Sequence, residues 1–80
     1  MARETAFFVQ CFFAKGDRLK AEPVSRWKSE EAARRAAERQ SESKAGAVAF
    51  CVSADAELGD YDEEPTVLLV IGSVPEEFQR

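Results

Sequence analysis

The chain alternates short apolar stretches of strand character with polar turns, and one alanine-rich stretch of helical period lies in the middle. The most apolar stretch, Phe7 to Phe13, reads Phe-Phe-Val-Gln-Cys-Phe-Phe and holds four of the six phenylalanines. Its aromatic and β-branched content predicts a strand, over Thr5 to Ala14. At a period of two, Phe7, Val9, Cys11 and Phe13 share one face, and Ala6, Phe8, Gln10, Phe12 and Ala14 share the other. Neither face is polar, so this strand belongs inside a sheet with something packed over each side.

Lys15-Gly16-Asp17 predicts a tight turn, because Gly16 can take the positive φ that a hairpin needs. A second strand follows from about Arg18 to Trp27, with Leu19, Ala21 and Trp27 on one parity and Lys20, Glu22 and Arg26 on the other. Pro23 removes a ladder donor, which places this strand at an edge or breaks it at a bulge. Ser29 is a good helix N-cap and Glu30 and Glu31 suit the first turn. The helix is expected to run to about Ser43, with Ala32, Ala33, Ala36, Ala37 and Gln40 on one stripe, and Lys44 and Gly46 forming a basic end and a stop. A stripe of alanines brings the helix backbone close to the sheet and leaves the large side chains to the strands.

Two more strands are predicted, Ala47 to Ser53 and Thr66 to Gly72, both apolar on both faces. The stretch Asp55 to Pro65 between them is acidic and long for a hairpin loop. After Val74-Pro75 the tail is a short helical turn or frayed, with Phe78 as its anchor. The expected fold is α+β, a two-layer β-β-α-β-β arrangement with a mainly antiparallel four-stranded sheet and one amphipathic helix on one face. The helical connection can bring the first and third strands side by side. Residues 1–80 form one small domain, since a chain this short has room for a single core.

One helix covers one face of the sheet. The other face then exposes Phe8, Phe12 and one side of the last two strands, a larger apolar patch than a monomer ordinarily shows. Packing against a second copy is the economical cover, which predicts a homodimer through that face. No apolar run approaches the roughly 20 residues needed to span a bilayer, and the N-terminus lacks a signal-peptide cleavage site. The expectation is a cytoplasmic protein with no membrane partner.

Charge adds an asymmetry. The net charge is −4, yet Lys15 to Lys44 carries nine basic and six acidic residues, while Ala45 to Arg80 carries one basic and eight acidic ones. The stretch from 55 to 64 could therefore dock on a basic protein partner, including Arg34, Arg35 and Arg39 of another copy. An acidic accessory protein for a basic partner is a third, weaker reading. Cys11 and Cys51 are read as reduced, buried thiols. If Val48, Phe50 and Val52 face the same core as Phe7 and Val9, Cys51 lies on the opposite side from Cys11, which rules out a disulfide.

The chain has no histidine. Ser-His-Asp and Cys-His arrangements cannot be built, and imidazole metal ligands are missing. The four glycines are scattered, so no phosphate loop exists. The acidic stretch does not meet the EF-hand pattern, and a flexible polar loop offers no pocket to separate the pKa values of two carboxylates. No catalytic residue, metal ligand or cofactor is expected. Aromatic residues on a sheet suggest base stacking, but the strands after the helix carry no Lys or Arg to gather phosphate, so no nucleic-acid partner is expected.

Phe8-Val9-Gln10, with Phe12 or Phe13 shortly after, and Ser29-Glu30-Glu31-Ala32 opening an alanine-rich helix, are faintly similar to SPOR domains, over about a quarter of the chain. That resemblance implies binding of peptidoglycan glycan strands. In that family the helix follows the first strand almost directly and a second strand-helix unit completes the fold. Here a whole strand intervenes and there is no second long helix, so membership does not follow.

Two functional readings remain. One is a homodimeric interaction or scaffold domain. The other is a module that binds a small ligand or peptide on the aromatic face, or at its rim near Trp27 and Tyr61. The candidate partner or ligand residues are Phe8, Phe12, Trp27 and Tyr61.

Overall fold

A computed structural model describes residues 4–55, 59–61 and 65–75, with only the backbone of Asp60 and Tyr61 included. The order is β1 (Glu4–Lys15), β2 (Arg18–Ala21), β3 (Ser25–Trp27), α1 (Glu30–Ser41), β4 (Gly46–Asp55), β5 (Asp60–Tyr61) and β6 (Thr66–Gly72). All strand pairs are antiparallel. β1 and β4 are the central pair; β2 and β3 share the outer side of β1, and β5 and β6 share the outer side of β4. The expected α+β fold is the one observed, with four lanes of strand and one helix among the described residues. Among the described residues, no helix is long and apolar enough to cross a membrane.

β1 turns into β2 at Gly16, whose φ is +64° while no other residue type in the described chain has positive φ. Positive φ at the first central position alone is the pattern of a type II′ hairpin turn. The expected second strand is broken at residues 22–24, around Pro23. Phe12 pairs with Ala21 but Val9 with Ser25, so one extra residue is inserted between the two registers. That insertion corrects the parity reading. Leu19 and Ala21 lie on the face of Phe12, whereas Trp27 lies with Phe7 on the opposite face, because a one-residue slip moves every later side chain across the sheet.

Ser29 caps α1, accepting the Ala32 N–H on Oγ at 3.1 Å, and Glu30 and Glu31 pair with Arg34 at 2.9 Å and Arg35 at 3.5 Å. The helix ends at Ser41, two residues before the expected end, and residues 42–44 continue as tight turns bonded three residues back. Gly46 is not the helix stop. It begins β4, and its lack of a side chain serves a chain crossing described below. Lys44 likewise pairs with Glu22 instead of closing the last turn.

Ala33, Ala36 and Ala37 are fully buried against Val9, Cys11, Ala47 and Ala49. The centre of this layer is small on small, which lets helix and sheet approach closely. Phe7, Trp27, Leu68, Leu69 and Ile71 pack around that centre. The face of β4 toward the helix is therefore the alanine face, not the face of Val48, Phe50 and Val52. Phe8 pairs with Phe50 and Gln10 with Val48, while Cys51 pairs with Phe7 on the helix side. Cys51 and Cys11 thus share a face, contrary to the premise above. Their positions are four residues apart along the ladder, about 13 Å, too far for a disulfide. Neither is part of a disulfide.

Candidate protein-interaction surface

The sheet face away from the helix is built from cross-strand rows. Arg26, Phe8, Phe50 and Val67 form one row, Gln10, Val48 and Val70 the next, and Ala21, Phe12, Gly46 and Gly72 a third. The Phe8 and Phe50 rings stack with centroids 5.5 Å apart and planes 27° from parallel, an arrangement of aromatic pairs that adds to simple burial.

Part of this face is closed within the chain itself. Gly72 leaves β6 with φ +71°, and the Ser73 N–H donates to the Ala45 carbonyl at 3.0 Å. The chain then crosses Gly46 so closely that a Cβ there would sit 1.9 Å from the Ser73 carbonyl oxygen. Val74 packs with Phe12, Val48 and Phe50, leaving Phe12 2% and Val48 0% exposed. The expected exposure of Phe12 is corrected by this crossing. Phe8 and Val52 stay half-buried at the margin of the cluster, and Val67 and Val70 are each 37% exposed.

The four residues singled out from the sequence do not form one surface. Phe8 and Phe12 share the face away from the helix, with Phe12 inside the domain. Trp27 is on the helix side, packed with Phe7, and its indole N–H donates to Ser25 Oγ at 2.9 Å. Ser25 Oγ in turn donates to the Val9 carbonyl, so the indole is tied back to β1. Tyr61, in β5, pairs through its backbone with Ala54 of β4, and its side chain lies outside the described residues. Most of the acidic stretch, at residues 56–58 and 62–64, lies outside them as well. Val67, Val70 and Val52 were not singled out beforehand; their signal was the two-sided apolar pattern of the last two strands.

A polar junction occupies the break between β2 and β3. Glu22 donates its N–H to the Cys11 carbonyl at 2.9 Å, accepts from Gln10 Nε2 on its own carbonyl at 3.1 Å, and holds Lys44 Nζ at 2.6 Å with its carboxylate. Cys11 Sγ donates to Gln40 Oε1 at 3.1 Å. Burial pushes the Cys11 thiol above its ordinary value of 9.0, the Glu22 charge adds to the rise, and Lys44 opposes it. The hydrogen bond to Glu22 holds Lys44 above its ordinary 10.5. The thiol is therefore protonated near neutrality and a poor nucleophile. Among the described residues, no group of three Cys, Asp or Glu is arranged to hold a metal ion.

Both shifts have the same consequence for stability. The folded chain keeps protons that the unfolded chain releases, so each contribution is whole below the unfolded pKa and is lost as pH rises through the folded one. Denaturant unfolding at fixed salt is expected to show no loss from these two groups up to about pH 9 and a decline above it. Cys11→Ala should remove the earlier part of the decline. A stability that rises above pH 9 would contradict this assignment.

Compared with protein-family models, curated proteins and solved structures, the chain matches none.

Proposed function

We propose that this protein is a small non-enzymatic interaction domain that pairs with a second copy of itself through the sheet face away from α1. The observation that carries the reading is the apolar margin around the closed centre of that face, where Phe8 and Val52 are half-buried and Val67 and Val70 exposed. Covering such residues is the main favourable term in association, at roughly 25 cal/mol per Å² of apolar area. A two-fold pair would use the same patch on both copies. No catalytic step is part of the reading, because the chain has no histidine and its buried thiol is held protonated.

Phe8→Glu tests it. A charge placed on the apolar margin of the face has to stay in water, so the variant is expected to sediment as a folded monomer under conditions where the wild type sediments as a dimer. Sedimentation velocity with circular dichroism on the same samples reads both properties. A dimeric, folded Phe8→Glu would remove this face as the interface. The ligand-binding alternative would use the same aromatic face, and it predicts instead that the wild type is itself a monomer.

A further inference from the structure

The hairpin of β1 and β2 runs past the strands beside it. Pairing between β1 and β4 ends at Phe12 and Gly46, whereas β1 and β2 go on pairing through Lys15 and Arg18. Gln40, in the last turn of α1, bonds to Cys11, two residues before Phe13. Phe13 to Ala21 are exposed without a break. Three rungs therefore stand as a two-stranded arm, about 10 Å long before its turn.

Register sorts the side chains of this arm. Phe13 and Lys15 continue the face of Val9 and Cys11, and Lys20 and Arg18 stand directly opposite them. One face thus carries Phe13, 39% exposed, with three cations around it, while the other carries Ala14 and Leu19. Lys15 and Arg18 are like charges on one rung, an arrangement that destabilises a ladder. Arg34, Arg35 and Lys44 each have a carboxylate partner. Among the described residues, no carboxylate pairs with Lys15, Arg18 or Lys20. The segment 13–21 holds three basic residues and one acid, Asp17, in a chain of net charge −4.

Chemistry narrows the partner. An acidic protein segment would use the cations and leave the ring idle. A membrane surface would meet the turn first, and Lys15-Gly16-Asp17-Arg18 has no apolar side chain to insert. A single strand of nucleic acid uses both kinds of group, because bases stack on an exposed ring while phosphates need cations beside it. We propose that this face of the arm binds single-stranded nucleic acid, with a base on Phe13 and the neighbouring phosphates on Lys15, Arg18 and Lys20. Bound phosphate also relieves the repulsion between Lys15 and Arg18. The expectation of no nucleic-acid partner weighed the strands after the helix, and this arm precedes it. The site lies on the opposite side of the sheet from Phe8, Val52, Val67 and Val70, so it is separate from the self-association face.

The test titrates isotope-labelled full-length protein with an oligothymidylate of about eight nucleotides. In parallel it uses an abasic oligomer of the same length, a glutamate peptide of equal charge and phosphatidylserine vesicles. The oligothymidylate should shift the amide signals of residues 13–20 and the ring signals of Phe13, and should bind at least about fivefold more tightly than the abasic oligomer or the peptide. Three phosphate contacts predict an affinity that falls about tenfold to twentyfold from about 50 to 200 mM salt. Phe13→Ala should weaken the oligothymidylate at least about fivefold with the same salt dependence, and leave the abasic oligomer unaffected. Lys20→Gln should weaken both and flatten the salt dependence. Both side chains are exposed, so both variants should keep the native spectrum; if Phe13→Ala does not, Phe13→Leu serves in its place. No response at residues 13–20, equal binding of the oligothymidylate and either control, binding to vesicles alone, or an oligothymidylate affinity unmoved by the Phe13 and Lys20 variants would overturn the proposal.

Discussion

Gly46→Ala is expected to cost about 3 kcal/mol or more, the upper range for forcing atoms into a packed site. A Cβ at this position would lie 1.9 Å from the carbonyl oxygen of Ser73 and 2.6 Å from its carbonyl carbon. Both neighbours are backbone, so no side-chain rotation relieves the overlap. The crossing chain would have to lift, and with it Val74, which packs on Phe12, Val48 and Phe50. A domain of this size has roughly 4 to 12 kcal/mol of stability in total. Urea unfolding should therefore show a much lower midpoint, with loss of the fixed environment of the Phe8–Phe50 pair. Gly16→Ala is the comparison, because nothing lies within 4 Å of its Cβ position and only the positive φ is strained. It should cost about 1 to 2 kcal/mol. Equal losses for the two variants would mean that the crossing at Gly46 is not tight.

Phe12→Ala is expected to cost about 3 to 5 kcal/mol, and Phe12→Glu to prevent folding. Phe12 is 2% exposed within a single chain, beneath Val74 and beside Val48 and Phe50. Truncation leaves a cavity in the packed cluster, and a carboxylate there loses its hydration. Phe8, four residues earlier on the same face, is half-buried and should tolerate the same charge in a folded chain. Thermal unfolding of the two glutamate variants side by side reads the difference. A folded Phe12→Glu with wild-type stability would show that Val74 does not close the centre of the face.

This contrast also marks how far the sequence could be read. The hairpin at Gly16, the disruption at Pro23, the Ser29 cap and the alanine stripe were all legible, because each depends on local chemistry that residue types state directly. The two faces of β1 were legible for the same reason. What was not legible is which face of β4 meets the helix. Both of its faces are apolar, so the pattern holds no polar side to orient it. The premise that Val48, Phe50 and Val52 share a face with Phe7 and Val9 fails, because the alanine helix selects Ala47 and Ala49, the residues that permit close approach. The face of Trp27 depended on a single inserted residue at the strand break, which parity counting along the chain does not register. The cover over Phe12 depended on two glycines, Gly46 and Gly72, brought together by strand pairing across 26 residues of sequence (72 − 46). Of the candidate site, Phe8 was legible as a surface aromatic, while the exposed valines of β6 were legible only as strand residues.

The molar mass of the wild-type chain in solution tests directly whether the face away from α1 is shared between two copies, as proposed. Light scattering across a dilution series is expected to give twice the 8.9 kDa of one chain at high concentration and to fall toward the single-chain mass on dilution. A mass of one chain at every concentration would contradict the claim.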